Sequence, residues 1–115
     1  MLGWWYTRYV QKLAPFQLEN ILGNQVPYLM FSFVKGHSEQ GSQIEAVLTK
    51  AEDIAFRAAI EKIQEKVSDR QSPIILICEN GRRSAAVAYK LQKWCYANCY
   101  IVDGGVRRLM QYYRD

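Results

Sequence analysis

Pro73-Ile74-Ile75-Leu76-Ile77-Cys78-Glu79-Asn80-Gly81-Arg82-Arg83-Ser84-Ala85-Ala86 decides how the rest of the chain is read. Ile74 to Ile77 is an unbroken aliphatic, mostly β-branched run, the pattern of a strand covered on both faces. Glu79-Asn80-Gly81 interrupts it with turn residues. Ser84 to Ala88 then supplies good helix formers. Cys78 therefore stands where a central strand ends and a helix is about to begin. In open α/β sheets this is the edge at which ligands bind.

The chemistry of that position follows from its neighbours. A tight strand-to-helix loop turns successive backbone N–H groups inward and forms an anion-binding concavity. The helix N-terminus adds partial positive charge, and Arg82 and Arg83 add two full charges. Such a field favours the thiolate of Cys78, which is the nucleophilic form. A lone cysteine at the end of an apolar strand is more often a small buried hydrophobe. The Gly, two Arg and Ser that follow it shift the reading, because an inert thiol requires none of them.

The spacing Cys78-x4-Arg83-Ser84 resembles the active-site loop of rhodanese-family sulfurtransferases. The helix from Ala85 to Trp94, the strand Cys99-Tyr100-Ile101-Val102 and the turn Asp103-Gly104-Gly105-Val106 are similar to the C-terminal half of that domain. The match is good from Pro73 to about Met110 and weaker before it. The resemblance implies a three-layer α/β fold, with a mostly parallel sheet of about five strands and helices on both faces. It implies Cys78 as the catalytic nucleophile, carrying a sulfane sulfur as a persulfide. Glu79, Asn80, Gly81, Arg82, Arg83 and Ser84 become the substrate-binding loop, with Ser84 as helix cap and donor to the adduct. Asp103, Gly104 and Gly105 become one wall of the pocket.

Composition is consistent with this. At 115 residues, half of them hydrophobic, the chain has room for one core. The net charge of +4 is uneven. Residues 70–115 hold eight Lys/Arg against three Asp/Glu, and residues 1–69 hold seven against eight. The basic half is the half with Cys78, which suits a small anionic sulfur donor. Lys90, Lys93 and Arg114 read as ordinary solvated surface. There is no basic run or motif for nucleic acid. Three Cys and one His give neither a disulfide framework nor metal-ligand spacing, so no metal or cofactor is expected. Cys95 reads as helix-end packing and Cys99 as strand core, with a resolving thiol for Cys78 as the lesser alternative. No apolar span is long enough for a membrane, and Arg8 and Lys12 interrupt any signal-like start. The expectation is a cytoplasmic protein.

The remaining segments read as follows. Residues 1–14 form an aromatic extension (Trp4, Trp5, Tyr6, Tyr9), expected as an amphipathic helix because Tyr6, Tyr9, Val10 and Leu13 have helical spacing. It packs on the domain's own core or offers a patch for a partner, a membrane surface or a homodimer. Residues 15–115 form the single rhodanese-like domain. Pro15 to Gly23 is a short helix, and Val26 to Val34 a strand. The family usually carries Asp-x-Arg at the end of that strand, where this chain has Phe31-Ser32-Phe33. Gly36-His37 resembles a remnant of the family's Gly-His element, with His37 a structural loop residue. Ile44 to Leu48 reads as a strand. Thr49, with Glu52 three residues on, reads as the capping box of a helix bearing Ile54, Ala58, Ile60, Ile63 and Val67. A last helix runs from about Val106 to Tyr113.

The reading is a sulfurtransferase that passes sulfur from thiosulfate or a persulfide to a thiol or protein acceptor. The alternative is a catalytically weak or inactive rhodanese-like binding module, motivated by the missing Asp-x-Arg and the aromatic N-terminus. A cysteine-dependent phosphatase or arsenate reductase ranks lower, because those loops are Cys-x5-Arg and this one is a residue shorter. Glu79 beside the nucleophile repels anions and would select a neutral or cationic sulfur donor over thiosulfate.

Overall fold

The computed structural model describes residues 9–34 and 42–114. Ile74–Ile77 is the middle strand of a five-stranded sheet, and all four of its residues are buried. The strands, in chain order, are β1 (Gln11–Leu13), β2 (Leu29–Ser32), β3 (Glu52–Asp53), β4 (Ile74–Ile77) and β5 (Cys99–Val102). They lie in the order β1-β5-β4-β2-β3, and every pairing is parallel. Among the described residues, four α-helices connect them, α1 (Pro15–Gly23), α2 (Ser42–Leu48), α3 (Ala59–Lys66) and α4 (Arg82–Lys93), and a fifth, α5 (Gly105–Arg114), follows β5. Parallel neighbours need crossovers, and helices in the crossovers cover the faces.

The period-2 alternation of the strands sorts the core into two layers. Ile74, Leu76, Cys99 and Ile101 face Ile63, Ala85, Ala88 and Leu91 of α3 and α4. Ile75, Ile77 and Val102 face Leu18, Ile44, Val47, Val106 and Leu109 of α1, α2 and α5. The result is the three-layer α/β arrangement expected, with a sheet that is parallel throughout. Tyr96, three residues past α4, fills the first layer, and its hydroxyl donates to the Val67 carbonyl at 2.7 Å.

Several local expectations are corrected. Residues 11–13 are an edge strand and not the end of a helix, paired with β5 from Gln11↔Tyr100 to Leu13↔Val102. Val10 is buried in one core layer and Leu13 in the other. An odd separation in extended chain demands this, whereas a helix would have put both on one side. Trp4, Trp5 and Tyr6 lie outside the described residues, as do Gly36 and His37.

Ile44 to Leu48 belongs to a helix and not a strand. Ile44, Val47 and Leu48 have i, i+3, i+4 spacing and bury together. Thr49 does not open a helix. Its hydroxyl donates to the Ala46 carbonyl at 2.9 Å, at the end of α2. Glu52 is a strand residue whose carboxylate meets Lys66 Nζ at 2.8 Å. The helix expected from Thr49 starts ten residues later at Ala59, after a 3₁₀ turn at Phe56–Ala58. Cys95 does not pack the end of α4: it is exposed and left-handed, with φ 70°.

Candidate active site

Cys78 follows the last residue of β4, and its side chain is 2% exposed. The loop turns at Gly81, whose φ of 92° belongs to the left-handed region that glycine adopts without strain. Asn80 shapes the same turn, its Oδ1 accepting the Arg82 N–H at 3.0 Å. α4 then begins at Arg82. Two backbone N–H groups converge on Cys78 Sγ, from Gly81 at 3.0 Å and Ser84 at 3.4 Å. That concavity of donors suits a negatively charged sulfur.

The loop is held from behind by a second helix. The carbonyls of Cys78 and Glu79 accept the N–H groups of Val106 and Arg107, each at 2.9 Å. These are first-turn donors of α5, which have no partner inside their own helix. With its carbonyls tied to α5, the loop is free to direct N–H groups at Sγ.

A cleft of about 380 Å³ opens over the cysteine, lined by Phe33, Cys78, Glu79, Asn80, Arg82 and Arg83. Five of these six are residues that the sequence points to. The sequence does not mark Phe33 as a site residue, because a phenylalanine in an apolar strand signals core and nothing in the sequence shows which way it faces. The expected pocket wall is corrected. Asp103, Gly104 and Gly105 do not line the cleft but back the loop. Asp103 is joined to Arg108 Nη1 at 3.4 Å, and the Gly105 backbone passes against the Cys78 and Glu79 carbonyls.

Ser84 is corrected in one respect. The residue preceding α4 is Gly81, with no side-chain cap, and Ser84 lies inside the first turn. Its hydroxyl is fully buried and has no hydrogen-bond partner among the described residues. Ser32, which stands in the segment expected to hold Asp-x-Arg, is buried and braces its own turn, accepting the Val34 N–H at 3.1 Å.

The other two thiols differ from Cys78 in surroundings. Burial in the sheet pushes the Cys99 thiol up to about 12, since the charged form would lose its water. Among the described residues, no group of His, Cys, Asp and Glu could hold a metal ion. No helix among them is long and apolar enough to cross a membrane.

The family model for the rhodanese-like domain matches residues 32–111. The chain belongs to the rhodanese-like family. Solved structures agree on the fold at low identity. The rhodanese-like domain protein from Staphylococcus aureus is 18% identical, with a TM-score of 0.65 over 86% of this chain and 90% of that one. The polysulfide-sulfur transferase homodimer from Wolinella succinogenes is 12% identical, with a TM-score of 0.70 over 97% and 81%. A protein of unknown function from Rhodopseudomonas palustris, described as a possible tyrosine phosphatase, is 10% identical, with a TM-score of 0.73 over 96% and 87%. No curated protein matches the sequence. Relatives with different names share this fold, so the chemistry of this rhodanese-like domain has to be argued from its loop.

Proposed function

We propose that this rhodanese-like domain is a sulfurtransferase that carries a sulfane sulfur on Cys78. The observation that supports the reading best is the pair of N–H groups, from Gly81 and Ser84, aimed at a buried Sγ at the floor of an open cleft. A structural thiol needs no donors directed at it. A sulfur that carries charge through a reaction does.

The Cys78 thiol gives its proton to solvent, and the thiolate attacks the outer sulfur of the donor. With thiosulfate, a bond forms between Sγ and the outer sulfur. The bond from that sulfur to the sulfonate breaks, and sulfite leaves with the electron pair. The persulfide that remains is stabilised by the loop N–H groups. The buried Ser84 hydroxyl, which has no partner among the described residues, lies at the same helix start and becomes a donor to the adduct. A thiolate acceptor, from a small thiol or a protein, then attacks the terminal sulfur and restores the Cys78 thiolate. No electrons are gained or lost overall, and the course is two-step covalent catalysis. Arg82 and Arg83 favour an anionic donor, and Glu79 in the same cleft opposes a highly charged one. A persulfide bearing a single charge therefore suits the cleft better than dianionic thiosulfate.

The test is intact mass after incubation with thiosulfate or a persulfide, in the native sequence and in Cys78→Ser. A gain of one sulfur atom, reversed by reductant and missing in Cys78→Ser, is expected. No gain with either donor would rule the reading out.

A further inference from the structure

Among the described residues, Arg83 is held in place by a ring and not by an opposite charge. Its Cζ lies 5.2 Å from the centroid of Phe56. Phe56 meets Phe33 edge-on, with centroids 6.1 Å apart and an interplanar angle of 84°. Phe33 is 5% exposed, lines the cleft, and donates its N–H to the Ile77 carbonyl at 2.9 Å, next to Cys78. The contacts therefore run from β4 through Phe33 and Phe56 to Arg83, and return to the loop that holds Cys78.

Burial does not explain a phenylalanine at position 56. The residue is 39% exposed, in the short 3₁₀ turn between β3 and α3, and no member of that turn is buried. Its ring contacts among the described residues are Phe33 and Arg83. Among the described residues Arg83 makes no ion pair, although Glu79 lines the same cleft. A carboxylate would also hold the guanidinium, but it would cancel the charge that an anionic donor meets. An aromatic face holds the cation and leaves its charge and its N–H edges available. Order established in the free protein also lowers the ordering required when the ligand binds.

We infer that Phe56 is a positioning residue for Arg83, fixing its guanidinium at the mouth of the cleft for an anionic donor. The identity of that donor rests on the sulfurtransferase reading, whereas the placement of the charge does not.

The experiment measures alkylation of Cys78 by two reagents of similar size, anionic iodoacetate and neutral iodoacetamide, in the full chain. Peptide mapping separates Cys78 from the exposed Cys95. The variants are Phe56→Leu, which keeps an apolar side chain but removes the ring, Phe56→Tyr, which keeps the ring, and Arg83→Gln. The iodoacetate to iodoacetamide rate ratio is expected to fall about two- to fivefold in Phe56→Leu, the span of an exposed cation–π contact. It should hold in Phe56→Tyr and fall at least as far in Arg83→Gln. A purely structural role for Phe56 would change both rates alike and leave the ratio where it was. An unchanged ratio in either Phe56→Leu or Arg83→Gln overturns the inference. With a productive donor, Phe56→Leu should raise KM by a similar factor with little effect on kcat. If the native protein forms no persulfide with any donor, the sulfurtransferase reading fails, and the alkylation ratio still decides the role of Phe56.

Discussion

Gly105 and Cys78 are packed backbone to backbone: a Cβ on Gly105 would overlap the Cys78 carbonyl oxygen and stand 2.8 Å from the Glu79 carbonyl. The same glycine has φ +62°, which a side chain disfavours. The loop and α5 therefore meet through a glycine because their paired hydrogen bonds, Val106 N–H to Cys78 and Arg107 N–H to Glu79, leave no space for more. Gly105→Ala must push the loop away and break both bonds. The expected result is a stability loss of about 2–4 kcal/mol by urea unfolding. Persulfide formation on Cys78 should slow by at least about tenfold, in keeping with the cost of misplacing reacting atoms.

Ser84 offers the opposite trade. Its buried hydroxyl has no partner among the described residues, which costs the folded state on the order of 1 kcal/mol relative to an apolar group of similar size. Ser84→Ala should therefore match or exceed the native protein in stability by up to about 1 kcal/mol. If the hydroxyl serves the adduct, single-turnover persulfide formation should fall about 5- to 10-fold in the same variant. A variant that is less stable than the native protein would show that the hydroxyl is satisfied in the resting fold.

The strand–loop–helix around Cys78 was legible because each signal in it is local. Four aliphatic residues, a turn cluster and a helix start specify their conformations without reference to distant chain, and the structure agrees over 74–93. The segments that misled are those whose partners are far away in sequence. Gln11 to Leu13 is a strand only because β5, nearly ninety residues on, supplies its ladder, and the Ala97 carbonyl just before β5 accepts the Gln11 side-chain amide. The five apolar-rich residues Ile44 to Leu48 fit either period, and the layer formed by α1 and α5 selects the helix. Thr49 and Glu52 satisfied the capping-box spacing, yet tertiary pairing of Glu52 with Phe31 took the segment into the sheet. For the site, loop residues were readable from spacing. Phe33 and Phe56 were not, because ring orientation depends on the assembled fold.

Cys95 is a second local cost that can be relieved. It occupies the left-handed position after α4, with its N–H bonded to the Gln92 carbonyl at 3.0 Å and the Tyr96 N–H bonded to Leu91 at 3.1 Å. This is the paired hydrogen-bond pattern that ends helices at glycine. A β-carbon there costs about 1–2 kcal/mol, and glycine returns part of that in unfolded-state entropy. Cys95→Gly should raise stability by about 0.5–1 kcal/mol, seen as a higher urea midpoint with an unchanged slope. Because Cys95 is exposed and far along the chain from the loop, persulfide formation on Cys78 should not change.

Cys99 makes the fold sensitive to alkali in a way that can be isolated. Burial raises its thiol from 9.0 to about 12 in the folded protein. Below pH 9 the thiol is protonated in both states, and the group adds no pH dependence. Between about pH 9 and 12 the unfolded chain has released the proton and the folded chain still holds it. The unfolded state then binds fewer protons, so stability falls as pH rises, by about 1.4 kcal/mol per pH unit for one fully differential group. The contribution is thus intact below the unfolded value and lost as pH climbs toward the folded one. Tyrosines and lysines titrate in the same window, so the comparison is with Cys99→Ala, which shares them. That variant should be less stable near pH 7 by a roughly constant cavity cost of about 1 kcal/mol. The gap should narrow from pH 9 upward and reverse by about pH 10.5, where the native protein has lost about 2 kcal/mol through Cys99 alone. Parallel urea midpoints from pH 7 to 10.5 measure it. A gap that stays constant across that range would mean that Cys99 ionises as readily folded as unfolded, and that the sheet opens around it.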